Sequence, residues 1–350
     1  MKDLLQSPLL PEALSLVQSI AQFRSKWAAL AETQRDFYTS LQKTIIITSA
    51  GASTRIEGAK LSDEEILKKL AGLKFTNIRD RDDAEVAGYI DCKKYIFDHH
   101  HEISVSEHSL RSLHQKMMSY LSNEVFPQQQ RGVYKNITNS VVRINHETGE
   151  QEIIFETTPP GPQTEVAMQT LIQDYNDFIR NPNYSDLEII AAFIVKFLAI
   201  HPFRDGNGRM SRLITDLCLL RQGFDFCMYS SHEKIIEDSK EQYYIALRQT
   251  QSTFKTKADL NPWLLYFLKV MEQQTQFLND KLEPKKPGTL TKLEQQIYEL
   301  IGDHQPATFG FLERESGIKK PTLKSILARL KQKGIILMEG ERKGSRYRLK

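Results

Sequence analysis

At 350 residues, 40% hydrophobic and 26% charged, the chain is long enough for two or three domains, each with its own core. A formal net charge of +3 singles out no partner, and the most apolar run, 189–200, holds Lys196 and is too short to span a bilayer. The start, Met1-Lys2-Asp3-Leu4, lacks an apolar leader stretch, and Cys92, Cys218 and Cys227 form no CxxC pair and leave an odd count, so the expectation is reduced thiols, a cytoplasmic setting and no membrane.

Residues 11–31 predict an amphipathic helix, with Leu14, Val17, Ile20, Phe23 and Trp27 near one face. A second helix is expected from Gln34 towards Glu57, with a break at Gly51. Ser62-Asp63-Glu64-Glu65 is a capping box for a third, to about Leu70. Helices follow over 82–99 and, capped by Ser106, to about Leu121. The consecutive His99, His100 and His101 splay around a helix and read as a solvated helix end. Met117 and Met118 read as core filling.

At Phe126 the character changes. β-Branched residues concentrate between Gly132 and Phe155 around the turn segment 145–150, which predicts a β-hairpin. Pro159-Pro160-Gly161-Pro162 ends it. Helices are expected again over 163–180, then over 187–200 with Asp186 as cap, and this last one is apolar nearly all round and so buried. Further helices are expected over 209–222, 230–251 and 262–278. The stretch 281–289 reads as a linker. Beyond it, helices over 293–301, 307–316 and 321–333 precede strands over 335–338 and 345–349, the order of a winged helix-turn-helix.

Between the two apolar helices lies His201-Pro202-Phe203-Arg204-Asp205-Gly206-Asn207-Gly208-Arg209-Met210-Ser211-Arg212. Glycines before a helix let backbone N–H groups converge into an anion nest. Arg209 and Arg212, three apart, share one face of the first turn, where the macrodipole disfavours cations by about 0.3–1 kcal/mol each unless an anion joins them. Asp205 beside a phosphate site suits a bridging divalent cation. His201 is the group of the stretch that takes a proton near neutral pH. Together these residues specify nucleotide-dependent transfer to a hydroxyl.

The stretch resembles the motif HPFx[D/E]GNGRxxR of the Fic (filamentation induced by cAMP) family and matches every defined position. The resemblance implies a mainly α fold: a Fic-type helical bundle with a β-hairpin flap, here followed by the winged helix. It divides the chain into an N-terminal helical region (1–125), a catalytic core (126–280) with flap 132–157 and motif 201–212, the linker 281–289 and the winged helix 290–350. It implies transfer of AMP from ATP to a Ser, Thr or Tyr hydroxyl of a protein, with His201 as base and Asp205 holding Mg²⁺ or Mn²⁺. Gly206, Asn207, Gly208 and Arg209 would meet the phosphates, with Met210 and Ser211 in the same nucleotide-binding stretch, and Arg212 would meet the γ-phosphate. On the helix resembling the family's adenine side, Tyr244 is the first choice of nucleotide contact and Tyr243 the second. Lys135 stands where many relatives have arginine. Upstream, Ser53-Thr54-Arg55-Ile56-Glu57-Gly58 fits the inhibitory pattern (S/T)xxxE(G/N) of class II members. Glu57 would pair bidentately with Arg212 in the γ-phosphate's place.

Three partners are admitted besides the target protein: the chain itself as an automodified substrate, a second copy in a homodimer, and DNA at 290–350. DNA rests on Lys319, Lys320, Lys324, Arg329, Lys331 and Lys333 with Arg342, Lys343, Arg346 and Arg348 of the wing. Two alternatives stay open: removal of AMP, or use of another nucleotide, by the same site; and a DNA-binding regulator whose core senses nucleotide.

Overall fold

The computed structural model describes residues 1–30, 35–72, 80–144, 151–282, 290–340 and 345–350. The hairpin turn 145–150, the central part of the linker and the wing residues Arg342 and Lys343 lie outside them. Residues Met1–Leu278 form one compact unit and Asn279–Lys350 a second. The regions on either side of residue 126 both lie within the first. No helix among the described residues is long and apolar enough to cross a membrane.

The first unit opens with α1 (Lys2–Leu5), α2 (Pro11–Leu30), α3 (Arg35–Ile56), α4 (Asp63–Gly72), α5 (Arg81–His99) and α6 (Glu107–Met118). A hairpin follows, β1 (Ser140–Ile144) antiparallel to β2 (Gln151–Glu156), with a bulge between Val141 and Val142. Then come α7 (Pro162–Phe178), α8 (Asp186–Ile200), α9 (Asn207–Arg221), α10 (His232–Asp238), α11 (Lys240–Ser252) and α12 (Asn261–Leu282). α8 is the centre. Ile189, Ile190, Phe193, Val195 and Phe197 are fully buried, and α7, α9 and α11 pack around it. Each such side chain contributes about 1.5–3 kcal/mol of apolar burial. The cap of α8 is Ser185, whose hydroxyl accepts the Leu187 N–H, rather than Asp186. The three cysteines are free and buried.

Three expectations change for physical reasons. α3 runs unbroken through Gly51, because the glycine is there for space: an added Cβ would lie 2.5 Å from Asp63 Oδ1 and 2.9 Å from Ile66 Cδ1 of α4. The helix expected over 230–251 divides at Ser239, whose hydroxyl bonds Ile235 O and Tyr266 and whose backbone leaves helical geometry (φ −120°, ψ 31°). His100 faces inward, 5% exposed, rather than into solvent.

The second unit contains α13 (Lys292–Asp303), β3 (Ala307–Thr308), α14 (Phe309–Ser316), α15 (Lys320–Gln332), β4 (Ile336–Glu339) and β5 (Arg346–Leu349), with sheet order β3-β5-β4, all antiparallel. Ile297, Ile301, Leu312, Leu323, Ile326 and Leu330 form its core. Thr291 and Glu294 build a capping box on α13. The second helix starts at Phe309 instead of Ala307, because Ala307 and Thr308 pair with Tyr347 and Arg346 of a strand some 40 residues away (~).

Candidate active site

The loop between α8 and α9 is held in a strained shape. His201 ends α8 with its N–H on Phe197 O, and it is the one non-glycine residue with positive φ (54°) among those described. Such a conformation costs on the order of 1–3 kcal/mol and persists when its surroundings enforce it. They do so here. Asn207 clamps Phe203 with its side chain, Oδ1 accepting the Phe203 N–H at 2.9 Å and Nδ2 donating to Phe203 O at 2.7 Å. Asn139 Nδ2 donates to Phe203 O (2.9 Å) and His201 O (3.3 Å). The root of the hairpin also pairs with the loop: Lys135 N–H donates to Pro202 O, and Tyr134 bridges Phe203. His114 stacks on Phe203 at 3.9 Å; its Nδ1 accepts the Gly132 N–H, which leaves Nε2–H to donate to Asp205 O at 3.1 Å. Burial pushes the pKa of His114 down to about 4, so it stays neutral.

His201 Nδ1 lies 3.2 Å from Leu198 O. That contact assigns the proton to Nδ1 and leaves a lone pair on Nε2 that can accept a proton. Burial lowers the pKa of His201, against the raising effect of the Leu198 contact.

α9 begins at Asn207 with Gly206 as cap, in left-handed geometry (φ 78°) and with Met117 Cε 2.8 Å from where a Cβ would lie. The first intrahelical bond at this end is Met210 N–H to Gly206 O. The N–H groups of Asn207, Gly208 and Arg209 precede it and lack an intrahelical partner, an arrangement that suits an anion. The Met210 N–H is therefore committed to the helix and its side chain is buried. Ser211 Oγ donates to Gly208 O and is 1% exposed. Both are buried on α9 and lie outside the wall of the cavity described below. Asn207 contributes its backbone, since its side chain is engaged on Phe203.

Arg212 is 2% exposed. Its Nε donates to Ser53 Oγ at 2.8 Å, and its Nη2 to Ser53 O at 2.9 Å and Glu57 Oε1 at 2.7 Å. The Glu57 contact is thus single rather than bidentate, because Ser53 takes the inner edge of the guanidinium. Nη1 has no partner. Glu57 stands just beyond α3 and reaches over the start of α9: its Oε1 lies 2.1 Å from where a Cβ on Gly208 would be. Arg209, 2% exposed, pairs Nη1 with Glu85 (3.1 Å) and Nη2 with Asp205 (3.5 Å), while its Nε is unpartnered. Asp205 takes its own Gly206 N–H on Oδ1 at 2.6 Å and Arg81 Nη2 on Oδ2 at 2.9 Å.

These groups meet in a cavity of about 890 Å³ whose wall includes Glu57, Asn139, His201, Asp205, Gly206, Asn207, Gly208, Arg209, Tyr243 and Tyr244. That volume suits a nucleotide. Tyr243 is 3% exposed and packs edge-on against Trp263 and Tyr266, whereas Tyr244 is only half-buried. Arg212 is absent from the wall because Glu57 stands before it. Buried guanidinium nitrogens without partners beside open helix N–H groups, and a carboxylate 37% exposed at their edge, fit a polyphosphate and its cation.

Sequence reasoning missed Arg81, Glu85, Asn139 and His114. Arg81 and Glu85 carry a local signal, an i,i+4 pair on α5. Asn139 and His114 carry none, since their work is to bond backbone distant in sequence.

Residues 104–219 match the Fic/DOC family model. They form a Fic/DOC family domain. The chain is 40% identical over 62 residues to a Fido domain-containing protein of Dictyostelium discoideum, covering 18% of this chain and 43% of that protein. It is 23% identical over 179 residues to protein adenylyltransferase fic-1 of Caenorhabditis elegans, covering 51% of this chain and 33% of that protein. The matches thus span less than half of these relatives' lengths. A Fic family protein from Desulfovibrio desulfuricans superposes with a TM-score of 0.61 at 22% identity, over 98% of this chain and 97% of that one. Fic-1 of C. elegans superposes at 0.53 with 21% identity, over 77% and 73%. The fold is shared with both.

Proposed function

We propose that this chain transfers AMP from ATP to a hydroxyl of a protein and is held back by Glu57. The observation that carries the reading is His201, with Nδ1 anchored on Leu198 O, set beside an anion cradle in one cavity. Nε2 takes the proton of the incoming hydroxyl. The oxygen attacks the α-phosphorus, the bond from that phosphorus to the α–β bridging oxygen breaks, and pyrophosphate leaves. The N–H groups of Asn207, Gly208 and Arg209 and the Arg209 guanidinium hold the phosphates, and Tyr244 lies on the wall for the base. Asp205 would hold a divalent cation, Mg²⁺ or Mn²⁺, which supplies charge neutralisation on the phosphates when bound. The hairpin presents the target by strand pairing.

Glu57 accepts a hydrogen bond from Arg212 Nη2 and fills the space above Gly208. While it stays, the γ-phosphate loses its arginine and the chain of phosphates is displaced. Incubation with α-labelled ATP tests both ideas: label enters protein, His201→Ala abolishes it, and Glu57→Gly raises it. Label from γ-labelled ATP instead sinks the AMP assignment. Release of AMP from a premodified target would identify the reverse reaction.

The second unit supports a winged-helix reading, with DNA as ligand. Lys319, Lys324 and Lys331 carry no ion pair among the described residues and are exposed. Arg329 and Lys333, however, are drawn to Glu294, and Arg348 to Glu339, so the basic face is smaller than its sequence suggests. Absence of salt-sensitive binding to duplex DNA at low ionic strength removes this reading.

A further inference from the structure

On the reading above, Asp205 is the carboxylate for a divalent cation. Its outer oxygen, Oδ2, is already covered by a guanidinium: Arg81 Nη2 donates to it at 2.9 Å. Arg81 is built into this place. Its Nε donates to Glu85 Oε1 at 2.9 Å one turn along α5, and Glu85 Oε2 lies 3.1 Å from Arg209 Nη1, which shares Asp205 through Nη2. Arg81, Asp205, Arg209 and Glu85 therefore close a ring of alternating sign and zero net charge. Arg81 opens α5, where the helix dipole disfavours a cation, and the two carboxylates offset that. Its side chain is 54% exposed and lines the cavity, so it can leave Asp205 without disturbing the core.

We propose that Arg81 is a resident counter-ion of Asp205. Its guanidinium takes the carboxylate oxygen that a divalent cation requires, so cation binding displaces Arg81, which keeps Glu85 as its remaining partner. This contact is the electrostatic complement of Glu57 on Arg212. The chain supplies a carboxylate to the arginine that meets phosphate, and a guanidinium to the carboxylate that meets the cation. Both charges that a nucleotide–metal complex brings are answered in advance by its own side chains.

The consequence is read by binding alone. A unit positive charge a few ångströms from a divalent ion, in a water-accessible site, weakens its binding by about tenfold, and salt screens the effect. Mn²⁺ is titrated into the full chain without nucleotide, with free ion followed by electron paramagnetic resonance. Arg81→Gln binds Mn²⁺ about tenfold more tightly than wild type at low ionic strength, and the ratio shrinks as salt is raised. Arg81→Lys, which keeps the charge, stays near wild type. Asp205→Asn in the Arg81→Gln background removes the gained site. Mn²⁺ affinity of Arg81→Gln no greater than wild type, including no binding to either protein at millimolar ion, overturns the proposal. So does a gain that survives Asp205→Asn. No AMP is transferred in this titration, so its failure and the failure of the transfer reading are separate results.

Discussion

Two clusters of charge lie between α5 and α9, and α5 feeds both from one stripe. Arg81, Glu85, Tyr89 and Lys93 follow at four-residue spacing. The outer pair joins Asp205 and Arg209 at the cavity, with Arg81 54% and Asp205 37% exposed. The inner pair joins Asp216 of α9 and Glu233 of α10, where Lys93, Asp216 and Glu233 side chains are 0% exposed. Lys93 Nζ lies 2.6 Å from Asp216 Oδ2 and 2.6 Å from Glu233 Oε1, and Tyr89 donates to the same Glu233 oxygen at 2.8 Å. Burial pulls the Lys93 pKa down, but the two carboxylates outweigh it and raise it. Asp216, His232 and Glu233 have the donor types of a metal site and lie close enough together to share an ion. The Lys93 ammonium already stands between the two carboxylates. Like residue types on one helix thus do different work. In the deep cluster no competing ligand reaches the charges, and they tie α5, α9 and α10 together. In the outer ring, water and ligand reach them, and the same kind of pairing becomes exchangeable.

Lys93→Met breaks this comparison most severely if it is right. It leaves two buried carboxylates facing each other and lowers unfolding free energy by about 3–5 kcal/mol in urea denaturation. A loss no larger than that of Arg81→Gln would erase the distinction. Next in size is Glu57→Gly, at the border between cavity and core. It raises AMP transfer on the order of a hundredfold by letting the phosphates seat. Its unfolding midpoint moves little, since the glutamate side chain is 34% exposed. The third prediction concerns pH. Burial raises the Glu233 pKa, but His232, Lys93 and Tyr89 outweigh it and hold the carboxyl well below the usual carboxylate range. A depressed carboxylate pKa contributes stability that is complete above the unfolded value and lost as pH falls through the folded one. Wild-type stability therefore declines as pH falls below the ordinary carboxylate range, and this group contributes to that decline. Glu233→Gln flattens that part of the profile in denaturation at stepped pH, whatever its effect at neutrality. The smallest effect is on the outer ring: Arg81→Gln shifts unfolding by less than about 1 kcal/mol, since exposed ion pairs contribute little.

The outcomes at particular residues show what kind of information the sequence carries. The Ser62–Glu65 capping box and the Ser106 cap are present as read, because a cap is written within four residues. The buried run 187–200 is the core, because an apolar helix has nowhere else to go. Gly51 misled for the opposite reason. Its backbone rule points to a break, while its use is to let Asp63 and Ile66 of α4 approach.

The sequence alone brought His201, Asp205, the glycines and two arginines on one helix face into a single stretch between two apolar helices. These features follow from local geometry and side-chain chemistry. Tertiary structure decided which charges meet. It placed Ser53 on the inner edge of Arg212, so that Glu57 makes one contact and not two. It turned Met210 and Ser211 into the core, and it brought Arg81 onto Asp205 across more than a hundred residues (~124 apart). Pairing energies depend on distance and solvent access, and neither exists until the helices pack.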